Sequence, residues 1–185
     1  NGDIKIKDIT FAFVEKTKIW HPAELKYPFL SYNVRQGIRH FHKLLQNRDV
    51  EPRGFSEILF LKNSDPKKFN YNKKVLAEIS ECKRWICQSR AKENKACMSR
   101  PYWAENLLGL GLGLTPSGDD FIGGVMIGLH ICKKIFMAQC IWDQVSEHIS
   151  DSTSPIAGAH LYAASTGLGP ADIHKLADAI LAANL

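Results

Sequence analysis

Hydrophobic residues along the 185-residue chain follow two periods, and each predicts its own kind of element. Near the start, residues 4–6 and 9–14, rich in Ile, Phe and Val, read as two short strands with Lys7-Asp8 as the turn of a small hairpin. Pro22 and Pro28 push the residues before them away from helical geometry, so an irregular linker is expected up to residue 30. A period of 3.6 then takes over. Val34, Ile38, Phe41, Leu44 and Leu45 share one stripe of a helix over 34–45, and Val75, Ile79, Cys82, Trp85 and Ile86 share another over 71–90. Residues 55–61 between them are too short to type.

From Ser117 onward the spacing is helical throughout. A long apolar helix is expected over 117–140, with 141–149 continuing it or starting anew. Two more follow over 155–166 and 170–183. Gly167 and Gly169 act as a helix stop, and Pro170 is pre-set for the first position of the next helix. The expected fold is α+β, mainly α: a small amino-terminal β-hairpin with its linker over 1–30 and a helical domain over 31–185, together one compact unit.

With 45% hydrophobic and 23% charged residues the chain has globular composition, so disordered, collagen-like and coiled-coil classes are excluded. The most apolar run, 121–132, stops at Lys133-Lys134 after about a dozen residues where a bilayer span needs ~20, so it reads as a buried helix and no membrane is expected. Five cysteines with no C-x-x-C pair suggest neither a disulfide framework nor a zinc knuckle. Reduced thiols in a cytoplasm are expected, in line with the absence of a visible basic-then-apolar leader.

Net charge is +5, unevenly placed. Residues 1–105 hold 21 Lys/Arg against 12 Asp/Glu (+9), and residues 106–185 hold 3 against 7 (−4). The basic half, with Lys62, Lys67, Lys68, Lys73, Lys74, Lys83 and Arg84 near Tyr71 and Trp85, lacks any nucleic-acid motif. A solvated face, or docking against an acidic partner subunit, explains it better.

Chemistry concentrates where glycine does: ten of the 13 glycines lie between Gly109 and Gly169. The densest string is Leu107-Leu108-Gly109-Leu110-Gly111-Leu112-Gly113-Leu114-Thr115-Pro116-Ser117-Gly118-Asp119-Asp120-Phe121. Thr115-Pro116 reads as an N-cap and first helical position. The amides of Gly111, Gly113 and Gly118, with the Thr115 and Ser117 hydroxyls, are therefore candidate ligands for a small anion at a helix N-terminus. Asp119 and Asp120 are the candidate catalytic pair, with three readings open: holding Mg²⁺ against a phosphate, acid–base work on a substrate, or complementing the helix dipole. Asp120, Gly124 and Gly128 stack at i, i+4 and i+8, leaving a bare stripe for either close helix packing or a flat ligand. The string is neither a Walker loop nor G-x-G-x-x-G, so ATP and NAD by the standard routes are unsupported.

His160, early in a predicted helix, reaches this loop if two helix N-termini converge, and is otherwise a structural histidine. His130 and Cys132, two apart, do not face together on a helix, nor do His40 and His42, which argues against metal pairs.

Taken whole, the string resembles the signature of the AllH-like bacterial family, which includes a subunit of a three-component oxamate carbamoyltransferase. Trp20-x-Pro22 and Thr153-Ser154-Pro155-Ile156 extend the resemblance, with a departure at Ala157, where serine is common. The resemblance implies carbamoyl or phosphate-linked chemistry carried out with other enzyme subunits. The rival expectation is a non-catalytic assembly or ligand-binding module whose glycine stripe docks a partner.

Overall fold

The computed structural model describes residues 4–6, 8–11, 21–22, 29–47, 54–56, 73–89 and 99–184. Its helices are α1 (Ser31–Asn47), α2 (Lys73–Ser89), α3 (Tyr102–Leu107), α4 (Ser117–Ile131), α5 (Ile135–Ser146), α6 (Ile149–Ser152), α7 (Pro155–Ser165) and α8 (Ala171–Ala182). α4 is the hub: it packs on α7, α5 and α3, while α5 also meets α7 and α3. α2 closes over α3, and α8 packs on α1, where Gly37 approaches the Ile180 carbonyl too closely to allow a Cβ.

The α+β class expected from the sequence is corrected: among the described residues the architecture is mostly helical, and no sheet layer forms part of it. At the opening of the chain, Ile4–Ile6 and Ile9–Phe11 pair over three residues each, and among the described residues no helix packs substantially on them. A two-stranded ladder is marginal in water unless something covers it, so this pair adds no layer to the fold. The core is helix against helix, around the fully buried Trp103, Leu107, Ile122, Met126, Ile141, Val145 and Leu161. The division at residue 30 adjoins residues 23–28, outside the described residues, as do 57–61, Cys97, and Lys62, Lys67, Lys68 and Tyr71 of the basic patch.

Four buried or half-buried aromatic rings anchor this core. Trp103 lies 6.2 Å from both Trp85 and Phe121, and Phe121 the same distance from Phe55. Such tilted pairs add to the area they bury. The Trp85 Nε1–H donates to the Ser99 carbonyl at 2.7 Å, fixing α2 to the chain entering α3.

The long helix expected over 117–140 is two helices. Lys133 takes the left-handed conformation (φ 56), with its amide on the His130 carbonyl and the Lys134 amide on the Leu129 carbonyl. That is a Schellman stop with lysine where glycine is usual. α7 ends the same way with Gly167 (φ 83), its amide on Ala164 and the Leu168 amide on Ala163, so the stop expected at Gly167 is present. α8 begins at Ala171, directly after Pro170.

Candidate functional site

α4 and α7 run parallel. Asp119 meets Thr153 at their starts, Gly123 faces Leu161 and Ala164 midway, and His130 meets Ser165 at their ends. Two helix N-termini therefore converge, the condition under which His160 reaches the glycine segment. Ser154 ties the two starts together: its hydroxyl donates to the Leu114 carbonyl at 2.7 Å and caps α7 by accepting the Ala157 amide at 3.0 Å.

Between the helices lies a cavity of about 640 Å³. Thr115, Asp119, Asp120 and His160 supply most of its polar lining, and its walls include Gly123, Gly124, Ile127, Leu161, Ala164, Leu168 and Ile173. Gly124 belongs to this wall, and a Cβ there would meet nothing within 4 Å among the described residues; the same is true at Gly128. Their bareness faces open space, so packing among the described residues of this chain does not account for it. Gly123, by contrast, touches Ala164 and Leu161.

The two adjacent carboxylates have different places. Asp119 is 3% exposed and both its oxygens are engaged: the Gly109 amide donates to Oδ1 at 2.7 Å, and the Thr153 hydroxyl donates to Oδ2. It locks the entry of the glycine segment to the start of α7. At Gly109 (φ 72) a Cβ would sit 1.9 Å from the Ser152 carbonyl oxygen, so only glycine lets the two backbones meet here. Asp120 is exposed toward the cavity. Burial of its carboxyl, helped by the neighbouring Asp119 charge, pushes it above the usual carboxylate range, against the pull of His160 and a hydrogen bond from the Thr115 hydroxyl.

The remaining glycine-segment residues do not line the cavity. Gly111 folds back on Ser117, Gly113 points at open space, and Gly118 lies against the Leu107 carbonyl with its amide donating to the Leu110 carbonyl at 2.8 Å. One amide of the α4 first turn is thus used within the chain. Leu112, at the tip of the segment, is 97% exposed. Among the described residues no group of three or more His, Cys, Asp or Glu side chains is placed to hold a metal ion, and each Asp119 oxygen already accepts a hydrogen bond. A Mg²⁺ ion held by this pair would need ligands from elsewhere.

His130 is structural: its Nε2 is 2.8 Å from the Ser165 carbonyl, and Gly167 packs on its ring. The sequence carries no signal for Ile127, Leu168 and Ile173 of the cavity wall. Thr153, the partner of Asp119, carried a signal only within the Thr-Ser-Pro start of its helix.

No helix among the described residues is long and apolar enough to cross a membrane. Residues 107–184 match the model of a family described as oxamate carbamoyltransferase subunit AllH. No match is found among curated proteins or solved structures.

Proposed function

From the premise that residues 107–184 belong to the AllH family, we propose that the chain is the subunit of a carbamoyltransferase-like enzyme that handles the carbamoyl group, in the cavity between α4 and α7. The observation that carries this reading is the grouping of Asp120, Thr115 and His160 around that cavity. A carbamoyl group presents N–H donors and one carbonyl acceptor. Asp120 accepts from the former, while the Thr115 hydroxyl or a His160 ring N–H donates to the latter. Carbamoyl transfer also requires a proton to leave or join the amide nitrogen. A carboxyl held above the usual range is better matched to that proton near neutral pH than an ordinary aspartate.

Asp119 positions this group by fixing the start of α4 to the start of α7. The phosphate in the reaction the family implies has no Lys or Arg partner among the described residues lining the cavity. Its binding is assigned to other subunits. The direct test is carbamoyl transfer by the enzyme assembled with its partner subunits. Asp120→Asn should keep the fold and lower turnover about 100-fold or more; unchanged turnover removes Asp120 from the chemistry.

The assembly-module reading is favoured by the exposed Leu112 on the glycine segment and by the open stripe at Gly124 and Gly128. Leu112→Ser separates the two: it should weaken subunit association under that reading and leave ligand binding by the isolated chain intact under both.

A further inference from the structure

We infer that α1 is the surface on which another subunit of the enzyme docks, through an amphipathic helix whose apolar stripe is flanked by Asp and Glu. The inference rests on the reading of the chain as part of a carbamoyltransferase assembly and locates one contact that holds it together. An open apolar stripe is the first observation. Val34, Ile38, Phe41, Leu44 and Leu45 recur at helical spacing along the 17 residues of α1, yet among the described residues Gly37 is the one position of the helix that is buried. Ile38 and Leu44 stay 44% and 39% exposed. An amphipathic helix normally turns such a stripe to a core. Here α8 is the one described element that packs substantially on it, and α8 has no buried residue of its own.

Charge is the second observation. Arg35, Arg39 and Lys43 stand exposed around the stripe, and α1 contains no Asp or Glu. None of the three forms an ion pair with a described residue. Their complement is a carboxylate-bearing surface, since opposite potentials steer and orient association. A second copy of this chain brings the same cations, and on its α8 Asp172 is already paired with Lys175 at 3.0 Å. A different, acidic subunit fits better.

Shape is the third. A Cβ at Gly37 would sit 1.9 Å from the Ile180 carbonyl oxygen, so α1 lies hard against α8 at this point. Part of the stripe is thereby turned to protein, which favours a third helix over a flat lipid surface. Both helices of the pair keep apolar positions open for it, Ile38 and Leu44 on α1 and Leu176 on α8.

Sedimentation velocity of the full chain mixed with the other carbamoyltransferase subunits tests this. Arg35→Glu, Arg39→Glu and Lys43→Glu combined should weaken association about tenfold or more, and added salt, which loosens the parent complex, should no longer loosen that of the variant. Ile38→Glu should weaken it to a similar degree, with circular dichroism confirming that both variants keep their helices. Carbamoyl transfer by either variant should return to the parent rate when the other subunits are in large excess; turnover that stays low would show that α1 supports the site rather than the contact, and would overturn the inference. Unchanged association in both variants, or none in the parent, also overturns it, and the transfer assay with Asp120→Asn decides separately whether the proposed function falls. Self-association of the parent alone, lost in Ile38→Glu, would assign the face to a second copy. Phosphatidylglycerol vesicles bound by the parent and not by the charge-reversed variant would assign it to lipid. Either result overturns the acidic subunit as its occupant.

Discussion

The Thr153 hydroxyl donates to the buried Asp119 carboxylate across the starts of two parallel helices, while the Gly109 amide occupies the other oxygen. Residues 109, 119 and 153 are thereby joined in one small network, of which Asp119 lines the cavity. Because a buried carboxylate is costly without partners, this network should be stiff and its members energetically coupled. Asp119→Ala orphans the Gly109 amide and should cost about 3 kcal/mol in urea unfolding, and Thr153→Val about 1–2 kcal/mol. The double variant should cost less than the sum. Additive effects would show that the two side chains do not share an interaction.

The stop between α4 and α5 carries a non-glycine residue in the left-handed region. Relieving that strain with Lys133→Gly should raise stability by about 0.5–1 kcal/mol, the local steric gain outweighing glycine's extra entropy in the unfolded chain. A loss of stability would mean that the lysine side chain contributes more than its backbone strain costs.

Burial pushes the Cys82 thiol up to about 12, whereas Cys87 and Cys132 are exposed. Thiolate is the reactive form, so iodoacetamide at mildly alkaline pH should label Cys87 and Cys132 quickly and leave Cys82 untouched until the protein unfolds. Mass-spectrometric mapping reads the order. Early labelling of Cys82 would show that α2 does not stay packed on α3.

Asp120 titrates above the usual carboxylate range in the folded chain, so its ionised form is disfavoured by folding. Its contribution to stability is fully present below the unfolded carboxylate value and is lost as pH rises through the raised one. Asp120→Asn should therefore be more stable than the parent at pH 7, by under about 1 kcal/mol for so solvated a side chain, with the difference vanishing toward pH 3–4. Thermal unfolding of the two proteins across pH measures it. A parent more stable than the variant at neutral pH would reverse the sign.

Much of the helical part was legible in the sequence because its signals are local. Gly167 and Pro170 mark a stop and a start with their own backbone preferences, and the stripe from Val75 to Ile86 marks the buried face of α2. The break after Ile131 was hidden because lysine occupies the position at which a glycine would have announced it. α3, six residues long, is too short to show a period. The strands Ile4–Ile6 and Ile9–Phe11 show why the class was misjudged: β-branched spacing describes a local backbone preference, whereas class depends on what packs against what. At the site, Asp119 and Asp120 are indistinguishable in sequence. Their separation into a buried tie and a cavity-facing acid depends on Thr153, 34 residues away. His160 could be placed only once the two helix starts were known to converge.

Under the proposed function, the cavity beside Gly124 is where the small molecule binds. Steady-state kinetics of the assembled enzyme carrying Gly124→Leu, alongside thermal unfolding of the same variant, tests this most directly. The predicted result is an unfolding temperature equal to or above that of the parent, since leucine is the better helix former, with kcat/KM reduced about 100-fold or more, roughly 2.7 kcal/mol. A variant that is equally stable and fully active would contradict it.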